Sequence, residues 1–190
     1  MKVKRIVIIG PESTGKSTLC SELARHYETS WVPEFAREYL LTNGNHYTLN
    51  DLSVIAEGQL KSEDEFADRI ESTYKRRAER HNAPLLFIDT DMHVLKTWSE
   101  FVFDSCDNRI LKNIVNRNYD LYLLCNTDLP WKQDALREYP DLRTREKLFE
   151  HYKEAMINQN VPWCVVSGNY EERLDISIRA VDTIATMTVL

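Results

Sequence analysis

Residues 10–17 of this 190-residue chain have the types and spacing needed to hold a phosphate group. They read Gly-Pro-Glu-Ser-Thr-Gly-Lys-Ser and stand between the apolar residues 6–9 and a helix-like stretch. Gly10 and Gly15 allow backbone turns that a β-carbon would block, so successive N–H groups can point into one concave nest. The nest lies at a predicted helix N-terminus, where unpaired N–H groups and the helix dipole favour an anion. This is the G-x-x-x-x-G-K-[ST] pattern of a P-loop.

Two side chains of the P-loop extend what its backbone can bind. Lys16 supplies a mobile cation for the β- and γ-phosphates of a nucleotide, and the Ser17 hydroxyl is a hard ligand for Mg²⁺. A turn that only joins a strand to a helix would not need the full consensus. The residues predicted to hold ATP are Gly10, Glu12, Ser13, Thr14, Gly15, Lys16, Ser17 and Thr18.

The acidic residue Asp89 follows the apolar run Leu85-Leu86-Phe87-Ile88. Asp89 ends this run as a Walker-B-type residue, where its carboxylate can hold the water shell of Mg²⁺ beside the P-loop. We therefore predict Ser17 and Asp89 as the metal residues. Asp91 comes two residues later and is predicted to face the same site and contact the substrate.

An acceptor pocket is predicted between a short second strand and a long helix. Trp31, Glu34 and Arg37 would supply a stacking surface, a carboxylate and a guanidinium to a small acceptor. A carboxylate at that strand end can bind an acceptor hydroxyl and take its proton. The spacing of Glu34 and Arg37 fits an ordinary helix-surface pair equally well. The sequence leaves the catalytic base open between Glu34, Asp89 and Asp91.

Residues 129–145 break the regular pattern with two prolines, Trp131 and three arginines, one of them Arg137. An arginine-bearing lid could supply positive charge to transferring phosphates while excluding water. The alternative is a charged surface connection. In a chain with a P-loop we favour the lid.

The elements that must position these residues alternate between strand and helix. Strands are predicted over 3–9, 31–32, 85–89, 121–125 and 161–166, and helices over 16–27, 35–41, 50–80, 92–103, 107–117, 146–158 and 170–187. This alternation predicts one α/β domain over residues 1–190: a three-layer P-loop NTPase fold of about five parallel strands with helices on both faces and a lid. Ligands of such sheets bind at the carboxyl ends of the strands.

The composition is ordinary for a soluble globular protein. The net charge of −6 argues against sequence-independent binding of nucleic acid, which needs a concentrated basic surface. The longest apolar run near the amino terminus is too short for an export signal, and no stretch approaches a membrane span. The four cysteines are widely scattered, which favours reduced core residues of a cytoplasmic protein over zinc ligands or disulfides.

Five segments, taken in order, resemble the ribosylnicotinamide kinase domain of NadR-type proteins. They are residues 10–18, Val32–Tyr39, Phe87–Asp91, Pro130–Arg137 and Val166–Arg173, so the resemblance covers nearly the whole chain. It implies phosphorylation of the 5′-hydroxyl of nicotinamide riboside by ATP, giving nicotinamide mononucleotide in NAD salvage. It also implies that Lys16, Glu34, Asp89 and Arg137 are catalytic, that Trp131 and Asp134 contact the substrate from the lid, and that the loop from Ser167 to Arg173 lies near adenine.

NadR-type proteins commonly carry an adenylyltransferase domain, and some a helix-turn-helix domain, ahead of this kinase. Met1 lies nine residues before Gly10, so we expect neither domain here. Two alternatives stay open: a kinase for another nucleoside, and an AAA-like module that hydrolyses ATP without a small acceptor. The sequence leaves the oligomeric state and the stacking aromatic residues undetermined.

Overall fold

The apolar runs of the sequence assemble into a parallel sheet. The computed structural model describes residues 2–75 and 83–186, and within them five strands lie in the order β2-β3-β1-β4-β5. Every neighbouring pair is parallel. The strands are β1 Lys4–Ile9, β2 Trp31–Val32, β3 Leu85–Asp89, β4 Leu121–Cys125 and β5 Trp163–Val166. The predicted α/β class with a five-stranded parallel sheet is confirmed.

Seven helices are described: α1 Lys16–His26, α2 Phe35–Asn43, α3 Leu49–Lys75, α4 Met92–Phe103, α5 Asn108–Asn116, α6 Leu142–Ile157 and α7 Tyr170–Thr186. Successive residues of a strand point to opposite faces of the sheet. Ile6 and Ile8 of β1 therefore pack into the core beneath α1 and α7, whereas Val7 and Ile9 pack with residues of α3 and α6. Helices cover both faces, as predicted.

Helix α6 begins four residues earlier than predicted. It starts at Leu142, where the Asp141 carboxylate caps it by accepting a 2.8 Å hydrogen bond from the N–H of Thr144. An aspartate that binds the third following N–H is a common helix start, and Pro140 before it cannot belong to an earlier helix turn. Residues 126–141 then form the irregular connection between β4 and α6, here called the β4–α6 connection.

The remaining predicted boundaries differ by small amounts. Helix α3 is described as far as Lys75, and the predicted continuation over residues 76–80 lies outside the described residues. All four cysteines are free thiols, with Cys20 and Cys125 buried. In the part of the chain that the structure describes, none of the helices has the length and apolar character needed to cross a membrane.

Candidate active site

The P-loop wraps around the start of α1, and two glycines make this path possible. Gly10 has φ +141°, and a β-carbon there would lie 2.7 Å from the carbonyl oxygen of Cys125. Gly15 has φ +79° and is the N-cap of α1. Because glycine has no side chain to cap the helix, the first N–H groups of α1 and the positive end of its dipole can bind an anion held in the loop. The loop therefore provides an anion site.

The side chains of the loop bind its own backbone. The Lys16 ammonium donates to the carbonyl oxygen of Pro11 at 2.9 Å, and the Thr14 hydroxyl donates to the same oxygen at 2.8 Å. Lys16 and Thr14 thereby stiffen the loop from inside. The ammonium of Lys16 also lies along the cavity that the loop lines.

Asp89 and Ser17 meet at the carboxyl edge of the sheet. The Ser17 hydroxyl donates to Oδ2 of Asp89 at 2.5 Å. Burial raises the pKa of Asp89 to about 7, and the negative charge of Glu34 adds to the rise. Among the described residues, Oδ1 of Asp89 is buried and has no hydrogen-bond partner. An unpartnered buried carboxylate oxygen beside a serine hydroxyl is the donor set that a hard divalent cation takes, so these residues fit Mg²⁺.

Glu34 reaches the same region from the neighbouring strand. It is the N-cap of α2, directly after β2, and its side chain makes no capping hydrogen bond. The negative charge of Glu34 contributes to the raised pKa of Asp89, and Glu34 lines the same cavity as the P-loop. Glu34 therefore has a carboxylate free to act in the cavity.

One cavity of about 480 Å³ joins the P-loop to the acceptor side. Residues 10–18 line one end of it, and Trp31, Glu34 and Arg37 line the other. Its apolar wall comes from α3 and α4 and includes Trp98, whose indole N–H donates to the Tyr47 hydroxyl at 2.6 Å. Sequence reasoning missed Trp98 and Tyr152, because single aromatic residues in helices are usually core residues.

The β4–α6 connection is held against the P-loop by hydrogen bonds. The Glu12 carboxylate accepts from the N–H groups of Glu138 and Tyr139 at 3.1 and 3.2 Å. The Ser13 hydroxyl accepts from the N–H of Lys132 at 2.9 Å. Glu12 and Ser13 were predicted to hold phosphate; their side chains bind this connection, which leaves their backbone N–H groups for that role.

Arg37 and Asp134 both line the cavity, but they bind each other. Two guanidinium nitrogens of Arg37 donate to the two carboxylate oxygens of Asp134 at 3.1 and 2.8 Å. The pair links α2 to the β4–α6 connection. Each residue was predicted to contact the substrate, and the structure gives each a protein partner.

The aromatic ring of Trp131 does not line this cavity in the described structure. Two guanidinium groups lie over it, those of Arg137 at 5.9 Å and Arg145 at 5.4 Å from the ring centre. Arg137 does line the cavity, and it also donates to the carbonyl oxygen of Lys132 at 2.5 Å. The structure thus separates Trp131 from the predicted substrate residues that line the cavity, which are Trp31, Glu34, Arg37 and Asp134.

Asp91 is likewise turned away from the cavity. Its carboxylate is 1% exposed, caps α4 by accepting from the N–H groups of His93 and Val94, and accepts from the Tyr122 hydroxyl at 2.8 Å. Both oxygens are therefore engaged inside the protein. The expectation that Asp91 faces the site fails because Thr90, at φ +70°, turns the chain between the two aspartates.

Arg173 supports the P-loop from below. It is 2% exposed, and its guanidinium donates to the carbonyl oxygens of Thr14 and Asn126, both at 3.0 Å, and pairs with Asp128. The resemblance placed the loop that ends at this residue near adenine. A lone arginine in a helix gives no local sign that it is buried, so its supporting role could not be predicted.

Comparison with known proteins gives a family and a fold. A family model described as an AAA domain matches residues 5–173. The trifunctional NAD biosynthesis/regulator protein NadR of Escherichia coli (strain K12) is 24% identical over 191 residues, which cover 97% of this chain and 43% of that protein. The chain thus spans less than half the length of this curated relative.

Two solved structures share the fold at low identity. A NadR protein in complex with NR has a TM-score of 0.75 and 20% identity, and the match covers 99% of this chain and 51% of that one. A NadR protein in complex with NAD and AMP-PNP has a TM-score of 0.71 and 19% identity, with the same coverage of 99% and 51%.

Proposed function

This chain belongs to the AAA domain family. We propose that it is an ATP-dependent kinase for a ribonucleoside. The substrate we propose is nicotinamide riboside, phosphorylated on its 5′-hydroxyl to nicotinamide mononucleotide. One observation carries this: the P-loop and the carboxylate of Glu34 line the same cavity. A phosphate donor and a hydroxyl acceptor bound there would meet in the same cavity.

The donor side is built for a nucleotide triphosphate. The backbone of residues 10–18 and the ammonium of Lys16 would hold the phosphates of ATP. Ser17 and Asp89 would hold Mg²⁺, which when bound neutralises charge on the transferring phosphoryl group. The free Oδ1 of Asp89 supports this assignment.

The acceptor side supplies a base and an aromatic wall. Glu34 would accept the proton of the 5′-hydroxyl as the bond from that oxygen to the γ-phosphorus forms and the bond to ADP breaks. Because Asp91 is fully engaged and Asp89 binds Ser17, we assign the base to Glu34. Trp31, Tyr47 and Trp98 offer rings to a cationic pyridinium, which aromatic faces attract.

The β4–α6 connection would act as the lid of a single kinase domain. Its hydrogen bonds to Glu12 and Ser13 and its ion pair with Arg37 would hold the lid closed over the P-loop. Arg137 brings a guanidinium to the cavity, where it would stabilise negative charge in the transition state. Closure would also keep water from competing with the acceptor.

The relatives support the choice of nucleoside. The Escherichia coli relative is named for NAD biosynthesis, and a NadR structure contains NR, which we take as nicotinamide riboside. The family description favours a second candidate, an AAA-type module that hydrolyses ATP without a small acceptor.

ADP release from ATP and Mg²⁺, with and without nicotinamide riboside and a panel of purine and pyrimidine nucleosides, tests both candidates. Stimulation by the riboside, with the mononucleotide as the product seen by chromatography, is the expected result. Stimulation by another nucleoside alone would change the substrate and keep the mechanism. ADP release that is indifferent to every nucleoside would overturn the kinase and favour the second candidate. Lys16→Met is the control for background hydrolysis.

A further inference from the structure

Helix α3 contains an unusual pair of neighbours where it passes the start of α2. Gly58 lies in the interior of α3, a position where glycine costs about 1 kcal/mol relative to alanine. A β-carbon on Gly58 would lie 2.2 Å from the ring of Phe35, the first residue of α2. The glycine therefore lets the Phe35 ring rest directly on the backbone of α3.

Gln59, the next residue, is 2% exposed and binds three backbone groups of the site. Its Oε1 accepts from the N–H of Phe35 at 2.9 Å. Its Nε2 donates to the carbonyl oxygens of Thr90 at 3.3 Å and Asp89 at 3.5 Å. One amide thus ties the start of α2 to the end of β3.

The bond to Phe35 gives the first N–H group of α2 an acceptor from another helix. The first N–H groups of a helix need acceptors, which the N-cap side chain usually provides. Here the N-cap is Glu34, and its side chain makes no such bond. Gln59 thus fixes the backbone of the residue that follows Glu34, whose carboxylate makes no cap bond and lines the cavity.

The bond to Thr90 holds a strained turn. Thr90 has φ +70°, a conformation that is costly for a β-branched residue and persists only when its surroundings enforce it. The N–H of Thr90 donates to the carbonyl oxygen of Ile8 at 3.0 Å, and its own carbonyl accepts from Gln59. This turn separates Asp89, which faces Ser17, from Asp91, which faces Tyr122.

We propose that Gln59, seated beside Gly58, is a positioning residue that fixes Glu34 relative to Asp89. The inference rests on the proposed function, in which these two carboxylates serve the acceptor and the metal. Neither Gln59 nor Gly58 lines the cavity in the described structure, so their effect on catalysis passes through the backbone of the two carboxylate-bearing segments.

Gln59→Leu tests the proposal, because leucine keeps the volume and removes all three hydrogen bonds. We expect kcat to fall about 100-fold, the loss that a misplacement of about 1 Å can cause. The KM for ATP should stay within about twofold, since the P-loop is untouched. Ser53→Ala is the matched control: it removes another buried hydrogen bond of α3, from Ser53 to Asp107 at 2.8 Å, away from the two carboxylates. It should leave kcat unchanged.

A second pair of variants tests the contact between Gly58 and the Phe35 ring. Gly58→Ala should push Phe35 outward and lower kcat, and adding Phe35→Leu should restore at least part of kcat by removing the ring that clashes. Amide hydrogen exchange of the Phe35 N–H reports its hydrogen bond to Gln59 and does not depend on an activity assay. Its protection should fall in Gln59→Leu and stay unchanged in Ser53→Ala.

The outcomes distinguish a failure of the proposed function from a failure of the positioning role of Gln59. If the parent protein phosphorylates no nucleoside, the proposed function fails. Exchange of the Phe35 N–H still tests the hydrogen bond between Phe35 and Gln59. If the parent is active but Gln59→Leu keeps its kcat, or loses no more than Ser53→Ala, the positioning role is overturned. Unchanged protection of Phe35 in Gln59→Leu would also overturn it.

Discussion

Arg37 and Asp134 are 97 positions apart in the sequence, yet their side chains form a two-bond ion pair, and both residues line the cavity. The hydrogen bond from Arg37 lowers the pKa of Asp134 below its usual value. Side-chain exposures of 49% and 22% leave the pair partly in water, so its contribution is about 0.2–1 kcal/mol. The pair joins α2, which carries Glu34, to the β4–α6 connection.

If the ion pair holds the β4–α6 connection against α2, the effects of substituting its two residues are not additive. We expect Arg37→Ala and Asp134→Ala each to raise the KM for the riboside by no more than about fivefold, the equivalent of 1 kcal/mol. The double variant should be no worse than either single one, because each substitution already breaks the pair. Steady-state kinetics on all four proteins measures this. Additive losses would show instead that each residue contacts the substrate independently.

The carboxylates of Glu34 and Asp91 should differ in their effects on catalysis. Glu34→Gln should lower kcat by about 10²–10⁴-fold, the usual range for loss of a general base. Asp91→Asn should cost stability, about 1–3 kcal/mol, because it disturbs the cap of α4 and the bond to Tyr122. Its kcat should change only a few-fold. The opposite ranking of the two kcat values would move the base from Glu34 to Asp91.

Arg173 should matter for the stability of the P-loop. Arg173→Met leaves the buried carbonyl oxygens of Thr14 and Asn126 without this donor and removes the partner of Asp128. We expect a loss of about 3–5 kcal/mol in the free energy of unfolding by urea. Arg179→Met, an exposed position on the same helix, should change it by less than about 0.5 kcal/mol. Equal losses in both variants would contradict the supporting role.

Glu63 should make stability depend on pH. It is 0% exposed, accepts from the Tyr119 hydroxyl at 3.1 Å and pairs with Arg117 at 3.2 Å. Burial raises the pKa of Glu63 to about 7. The native state therefore binds a proton more tightly than the unfolded chain does. This contribution to stability is present below about pH 4.5 and is lost as pH rises through 7.

Glu63→Gln removes this titration. Between pH 5 and 7 the free energy of unfolding of the parent should fall relative to that of the variant, by at most about 1.4 kcal/mol per pH unit. Urea titrations at several pH values measure the difference. Asp89, whose pKa is also raised to about 7, is present in both proteins and cancels. Glu57→Gln, which alters an exposed carboxylate of the same helix, should follow the parent. A Glu63→Gln curve parallel to that of the parent would contradict the assignment.

Features that depend on near neighbours in the chain could be predicted from the amino-acid sequence. The glycines at 10 and 15, the apolar run before them and the helix after them specify a phosphate loop within one continuous segment. Strands β3 and β4 are fully buried apolar runs, and the last four residues of β1 form a third, so continuous runs of apolar residues predict these strands. Boundaries were less certain, since α6 begins at a cap, Asp141, that lies inside a stretch interpreted as lid.

Which polar side chains face the cavity and which face each other depends on how the helices and strands pack together. Asp89 and Asp91 look alike in sequence, and the left-handed turn at Thr90 sends one to Ser17 and the other to Tyr122. The partners of Arg37, Gln59 and Arg173 are brought by other elements, at sequence separations from 24 to 159 residues. A hydrogen bond of this kind depends on the packing of helices against the sheet, and the residue's own neighbours in the chain carry no record of it.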